Sequence, residues 1–280
     1  MLVYLNGNYV PRAEAVVSVD DRGFLFGDGV YEVTRARGGR LVDHARHAAR
    51  LDAGLRALRL APQGFSGDGV RAIAERLLAE NGMTAGEALV YQQVTRGAIA
   101  PRTHHYPVGV APTVYVSVTA FTPPDEIRAR GVRVITVPDL RWRRCDLKTV
   151  NLLPNVMAKQ QAVEADAYEA IMLRDGVVTE GSTVSLFGVV DGVVRTHPLD
   201  SAVLPGVTRA VVLELARAEG LPVDERALSE AELRGAAELF ITSTSNDVMP
   251  VVQVDGATVG AGTPGPIARR LIDAFRRREA

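Results

Sequence analysis

A chain of 280 residues with 47% hydrophobic content holds enough apolar material for one large core or two modest ones, which excludes a disordered tail. Its formal net charge of −1 removes the electrostatic footprint that nucleic acid or an anionic membrane surface requires, leaving small-molecule chemistry as the expected class. A single cysteine excludes an internal disulfide, and five histidines without Cys or carboxylate partners at zinc spacing carry no metal signature.

The first forty residues alternate short β-rich runs with turn signals: Leu2 to Leu5, the Asn6-Gly7 turn, Val16 to Val19, then Val30 to Arg37 closed by Gly38-Gly39. This pattern predicts an antiparallel meander. Helical spacing follows from Asp43 to about Leu58 and again from Ser66 to Ala79. Ala88 to Thr95 and Thr113 to Phe121 read as buried strands around a loop, Gly97 to Pro112, rich in Pro, Arg and His. Phe121-Thr122-Pro123-Pro124-Asp125 is linker-like, so a smaller α/β domain is expected over 1–121 and a larger one over 122–280.

The second half opens on a strand, Val132 to Val137, and a helix from Leu152 to about Glu164 with Asn151 as its cap. Strands around the turns Asp175-Gly176 and Asp191-Gly192, a helix from Val207 to Glu219, a strand near Leu239 to Thr242 and a helix after Pro266 complete a mixed α/β chain. The first residues lack a basic region with an apolar stretch, and no run of about 18 apolar residues occurs, so a soluble, cytoplasmic protein is expected.

Chemistry enters through the lysines. Of 32 basic residues only Lys148 and Lys159 are lysines. Where Arg fills nearly every cationic role, a retained Lys points to chemistry a guanidinium cannot do, imine formation with an aldehyde foremost. Lys148 lies among Arg141, Arg143 and Arg144, whose field would lower an amine pKa at a partly buried site. Glu180, after a hairpin strand, could pair with a pyridine nitrogen, or be a plain turn glutamate before Gly181. Gly206-Val207-Thr208 opens a helix whose free N–H groups could seat a phosphate, and Thr242-Ser243-Thr244 could add donors. Arg50 could reach the same phosphate or simply face solvent, while Arg102 and His104, two apart in an extended loop, could clamp a carboxylate.

Taken in order, Asp21-Arg22-Gly23-Phe24-Leu25-Phe26-Gly27-Asp28-Gly29-Val30-Tyr31-Glu32, Arg102-x-His104, Arg141-Trp142-x-Arg144-Cys145-Asp146-x-Lys148, Thr179-Glu180-Gly181-Ser182, Gly206-Val207-Thr208-Arg209 and Thr242-Ser243-Thr244 resemble the class IV aminotransferases, D-amino-acid branch. The likeness runs from about Tyr4 to the last helix. It implies that family's two-domain fold, with pyridoxal 5′-phosphate held at the domain interface. Lys148 would be the Schiff-base lysine and proton shuttle, and Glu180 the partner of the ring nitrogen. Arg50, Val207, Thr208, Ser243 and Thr244 would surround the phosphate, and Leu204 would back the ring.

The same resemblance implies that Tyr31, Arg102 and His104 hold the substrate carboxylate, the loop pair coming from the neighbouring subunit of a homodimer. D-Alanine and 2-oxoglutarate would be the substrates. A branched-chain L-aminotransferase and an aminodeoxychorismate lyase are the alternatives, and Arg102-x-His104 argues against both. Two departures stand out: Thr183-Val184-Ser185 replaces the family's Ser-x-Asn, and the loop before Arg102 is one residue longer. Lys159, on the following helix, is expected to be structural.

Overall fold

The alternation over residues 29–37, 87–95 and 113–121 becomes three nine-residue strands in the computed structural model, which describes residues 1–279. The described chain divides into two units: Met1–Thr122 with Leu147–Asn151, and Pro123–Asp146 with the residues from Leu152 onward. A single cut near residue 122 is therefore too simple. The segment 147–151 joins the first unit because Val30 bridges Thr149 and the Val150 N–H donates to the Gly29 carbonyl at 3.1 Å.

In the first unit, β1 (Leu2–Leu5), β2 (Asn8–Pro11), β3 (Gly29–Arg37), β4 (Arg40–Leu41), β5 (Glu87–Thr95) and β6 (Thr113–Phe121) form one antiparallel sheet in the order β2-β1-β6-β5-β3-β4. The expected meander through Leu2 to Leu5, Val16 to Val19 and Val30 to Arg37 is corrected: β1 pairs with β2 and with β6. Val16 to Val19 is not a strand; Val16, Val17 and Val19 are exposed and have no ladder partner, and β-propensity alone does not make a strand. One sheet face, with Val30, Val90, Val94 and Val116, is covered by α2 (His44–Ala57) and α3 (Val70–Glu80) through Leu51, Leu55, Leu77 and Leu78. A short α1 (Arg22–Phe26) precedes β3.

The second unit contains α4 (Asp125–Arg130), β7 (Val132–Pro138), α5 (Leu153–Glu164), β8 (Glu169–Arg174), β9 (Val177–Gly181), β10 (Ser185–Val190), β11 (Val193–Thr196), α6 (Val207–Ala218), β12 (Val223–Asp224), α7 (Glu230–Gly235), β13 (Glu238–Ser243), β14 (Asp247–Val254), β15 (Ala257–Thr258) and α8 (Pro266–Glu279). Its strands run β12-β11-β10-β13-β14-β7-β8-β9, parallel at β11–β12, β14–β7 and β7–β8, with β15 beside β14. The pleat sends Leu239 and Ile241 to one core, and Phe240 to the other under α6 and α8, where its ring stacks on Phe187 at 5.0 Å. This is the mixed α/β architecture expected.

Asn151 does not cap α5. The N-cap position is Leu152, which makes no side-chain cap bond, and the Asn151 amide instead donates to the Gly27 carbonyl at 2.9 Å. Gly27 is left-handed (φ 67°), and a Cβ there would meet Asn151 Oδ1 at 2.5 Å, so the turn that ends α1 requires glycine.

Candidate active site

The pleat of β3 splits two adjacent residues between two faces. Glu32 turns to α2 and is fully buried, while Tyr31 turns away to a face it shares with Tyr91, its ring stacked at 5.8 Å. Lys148 stands on this aromatic face, its Nζ 4.2 Å from the centre of the Tyr31 ring, and its carbonyl accepts the Tyr31 N–H at 3.0 Å. Tyr91 is pushed up to about 12 by burial and by its tyrosine neighbours, so its hydroxyl remains a donor, here to Gln93 Oε1 at 2.6 Å.

Arg50 is not a solvent-facing helix residue. Its side chain is 11% exposed, and Nε and Nη2 reach the two Glu32 oxygens at 2.7 and 2.6 Å, with His47 Nδ1 3.1 Å from the same carboxylate. Burial would raise the Glu32 carboxyl, but Arg50 and then His47 outweigh it and hold it well below the usual range.

Arg102 and His104 are both exposed, and both lie against Phe26: the Arg102 guanidinium 4.1 Å from the ring centre, the His104 ring 5.4 Å away. Arg22 holds the loop between them. It donates to the carbonyls of Thr103 and His104, is paired with Asp28 at 2.9 Å, and Asp28 also accepts from Arg96 at 2.7 Å. Sequence reading missed Phe26 and Arg22 as supports of this loop, although both stand in the family-like segment 21–32.

In the second unit Glu180 closes β9 with its carboxylate buried. Arg141 Nη1 donates to Oε1, and the Leu204 N–H donates to both oxygens at 3.1 and 3.2 Å. Burial outweighs these donors and pushes the carboxyl up to about 7. Glu180 is thus no turn residue. Leu204 leads directly to Gly206, the N-cap of α6, which has no side-chain cap. A Cβ on Gly206 would lie 2.8 Å from Ser185 Oγ, and Ser185 is the cross-strand partner of Thr242 at the end of β13. Val207, Thr208, Ser243 and Thr244 therefore gather at one end of the sheet, where Thr242 Oγ1 is buried without a hydrogen-bond partner. Ser185, at the departure from the family pattern, packs beside this helix start.

Of the arginines before Lys148, Arg144 is paired with Asp146 and Arg141 with Asp139 and Glu180. Lys159 donates to the Tyr168 carbonyl and lies 3.7 Å from Glu169. Glu169 also accepts from Ser182 and from Thr183 at 2.7 Å, which fixes the turn after Glu180. Among the described residues no cluster of metal-ligating side chains occurs, and no helix is long and apolar enough to cross a membrane.

A family model described as amino-transferase class IV matches residues 29–254. The chain is 41% identical to D-alanine aminotransferase of Bacillus licheniformis over 99% of its own length and 96% of that protein's. It is 39% identical to D-alanine aminotransferase of Listeria monocytogenes, covering 98% of this chain and 95% of that one. Among solved structures it superposes on the branched-chain amino acid aminotransferase of Escherichia coli with a TM-score of 0.91 at 26% identity, over 99% and 93% of the two chains. A T.th. branched-chain amino acid aminotransferase, solved with pyridoxamine 5′-phosphate, matches with a TM-score of 0.89 at 28% identity over the same shares.

Proposed function

This chain belongs to the class IV aminotransferases, which work with pyridoxal 5′-phosphate, and we propose that it transaminates D-amino acids, converting D-alanine and 2-oxoglutarate to pyruvate and D-glutamate. The observation that carries the reading is the pairing of Arg102 with His104 on the Phe26 ring, two cationic or hydrogen-bonding groups side by side on one exposed loop. Such a pair suits a substrate carboxylate. Tyr31 completes the set, and the loop pair serves the neighbouring subunit of a cytoplasmic homodimer.

The residues fit the cofactor. A buried carboxylate suits a protonated ring nitrogen, and an uncapped helix start beside a buried, unpartnered Thr242 hydroxyl suits a phosphate. When bound, pyridoxal phosphate supplies an aldehyde for amine exchange and a ring that withdraws electrons. Lys148 would hold the cofactor through Nζ, and the same amine would move the substrate's α-proton. Glu180 keeps a proton on the ring nitrogen. Arg50, the N–H groups of Val207 and Thr208, the Thr208 hydroxyl, Ser243 and Thr244 would hold the phosphate, and Leu204 would support the ring.

The test is a half-reaction followed by visible absorbance. Purified enzyme is mixed separately with D-alanine and L-leucine. Loss of the cofactor band with D-alanine alone supports the assignment. Loss with L-leucine alone moves the chain to the branched-chain reading, which the likeness to the E. coli structure keeps as the second candidate.

A further inference from the structure

Two buried glutamates face one arginine each in this protein, and they end in opposite states. Glu32 receives Arg50 at two points, 2.7 and 2.6 Å, and is held well below the usual carboxylate range. Glu180 receives a single Arg141 N–H, and its carboxyl is pushed up to about 7 by burial. The difference lies in what occupies the rest of Arg141.

That occupant is Asp139. Its side chain is fully buried, and the Asp139 N–H donates to the Leu173 carbonyl at 2.7 Å, which anchors it just beyond β7. Arg141 Nε and Nη2 reach Oδ1 and Oδ2 of Asp139 at 3.0 and 2.9 Å, a two-point pair, while Nη2 also donates to the Ala202 carbonyl at 3.0 Å. Thr179 Oγ1 donates to Oδ2 at 2.8 Å and Arg174 Nη2 lies 3.1 Å from it. The fork of Arg141 is spent on Asp139, and Glu180 is left with the outer N–H.

We infer that Asp139 is a positioning residue for Glu180: by taking the two-point face of Arg141 it sets how strongly Glu180 can hold a proton-bearing partner. The inference rests on Glu180 serving the cofactor's ring nitrogen. Around Glu180 stand the charges of Arg141 and Asp139, with Arg174 behind Asp139, so that with Glu180 itself two guanidiniums stand against two carboxylates; Cys145, whose thiol burial pushes up, adds none. In a dry site, loss of the Asp139 charge leaves an excess positive charge, which disfavours a cation at the ring nitrogen.

The experiment uses Asp139→Asn and Arg174→Gln, the second being partly exposed and not touching Glu180. Holoenzyme is loaded with ring-15N pyridoxal phosphate and the nitrogen shift is followed against pH, while carboxyl-13C glutamate reports the Glu180 titration in cofactor-free protein. Asp139→Asn is expected to lower proton affinity at both positions by about tenfold or more, one pH unit or more. Arg174→Gln is expected to move both the other way. Disrupted packing alone would not give opposite signs. Folded variants with unchanged titrations overturn the role of Asp139. Glu180→Gln separates the two readings: if it leaves the ring-nitrogen shift unchanged, the Glu180 assignment itself fails; if it moves the shift while Asp139→Asn does not, only the positioning role fails.

Discussion

Tyr31 and Lys148 are joined twice: the Tyr31 N–H donates to the Lys148 carbonyl at 3.0 Å, and Lys148 Nζ stands 4.2 Å from the centre of the Tyr31 ring. The first link uses only backbone, so the lysine side chain can be removed while the strand contact stays. Lys148→Ala should keep its melting temperature within a few degrees yet lose the cofactor band and transaminate several orders of magnitude more slowly. Retention of both signals would exclude Lys148 as the cofactor lysine.

Lys159→Ala provides the contrast. Its amine serves the Tyr168 carbonyl and Glu169. Thermal denaturation should show a loss of about 1 kcal/mol, while the visible spectrum is unchanged. A colourless Lys159→Ala protein would reverse the two assignments.

Phe26→Leu removes the ring on which Arg102 and His104 rest. A cation–π contact at an exposed site contributes about 0.5–1 kcal/mol, so KM for D-alanine should rise roughly two- to fivefold with kcat nearly unchanged. Phe26→Tyr should restore it. An effect confined to kcat would argue that the ring does not act on substrate binding.

Glu32→Gln leaves Arg50 and His47 without the buried carboxylate they share. Breaking such a buried pair costs about 3–5 kcal/mol, read by urea denaturation at neutral pH, and cofactor affinity should fall because Arg50 is no longer fixed. The folded carboxyl sits below its reference value of 4.5, so its stabilisation is fully present above that pH and drains as the pH falls beneath it. Denaturation midpoints taken toward pH 3 should therefore decline less steeply in Glu32→Gln than in the parent protein.

Glu180 has the reverse sign. Its carboxyl is raised from 4.5 to about 7, so in cofactor-free protein the protonated form favours the fold, and this stabilisation is present below pH 4.5 and lost as the pH rises through 7. At about 1.4 kcal/mol per unit the whole change is on the order of 3 kcal/mol. Chemical denaturation at pH 5 and pH 8 should show a loss in the parent that Glu180→Gln lacks; equal losses in both would disprove the raised carboxyl.

Much of the site could be read from residue order alone. Lys148 stood out because lysine is nearly absent, and Glu180, Arg102 and His104 because their neighbours repeat a family pattern. β-rich runs bounded by turn signals marked β3, and buried apolar runs marked β5 and β6, since such runs favour strands wherever a partner lies beside them. Val16 to Val19 shows the limit: a β-branched run becomes a strand only where another strand lies beside it. Asn151 shows another, a good cap residue spent instead on the Gly27 carbonyl.

Local chemistry, then, determined which residues could react, because nucleophiles, carboxylates and helix starts are recognisable one segment at a time. Tertiary structure decided what each charged group is paired with. Arg50 meets Glu32 across a helix and a strand, and Arg141 meets Glu180 only because β7 lies beside β8 and β8 beside β9. Those pairings set the opposite proton affinities of two buried glutamates, and they follow from register and burial, which no single segment contains.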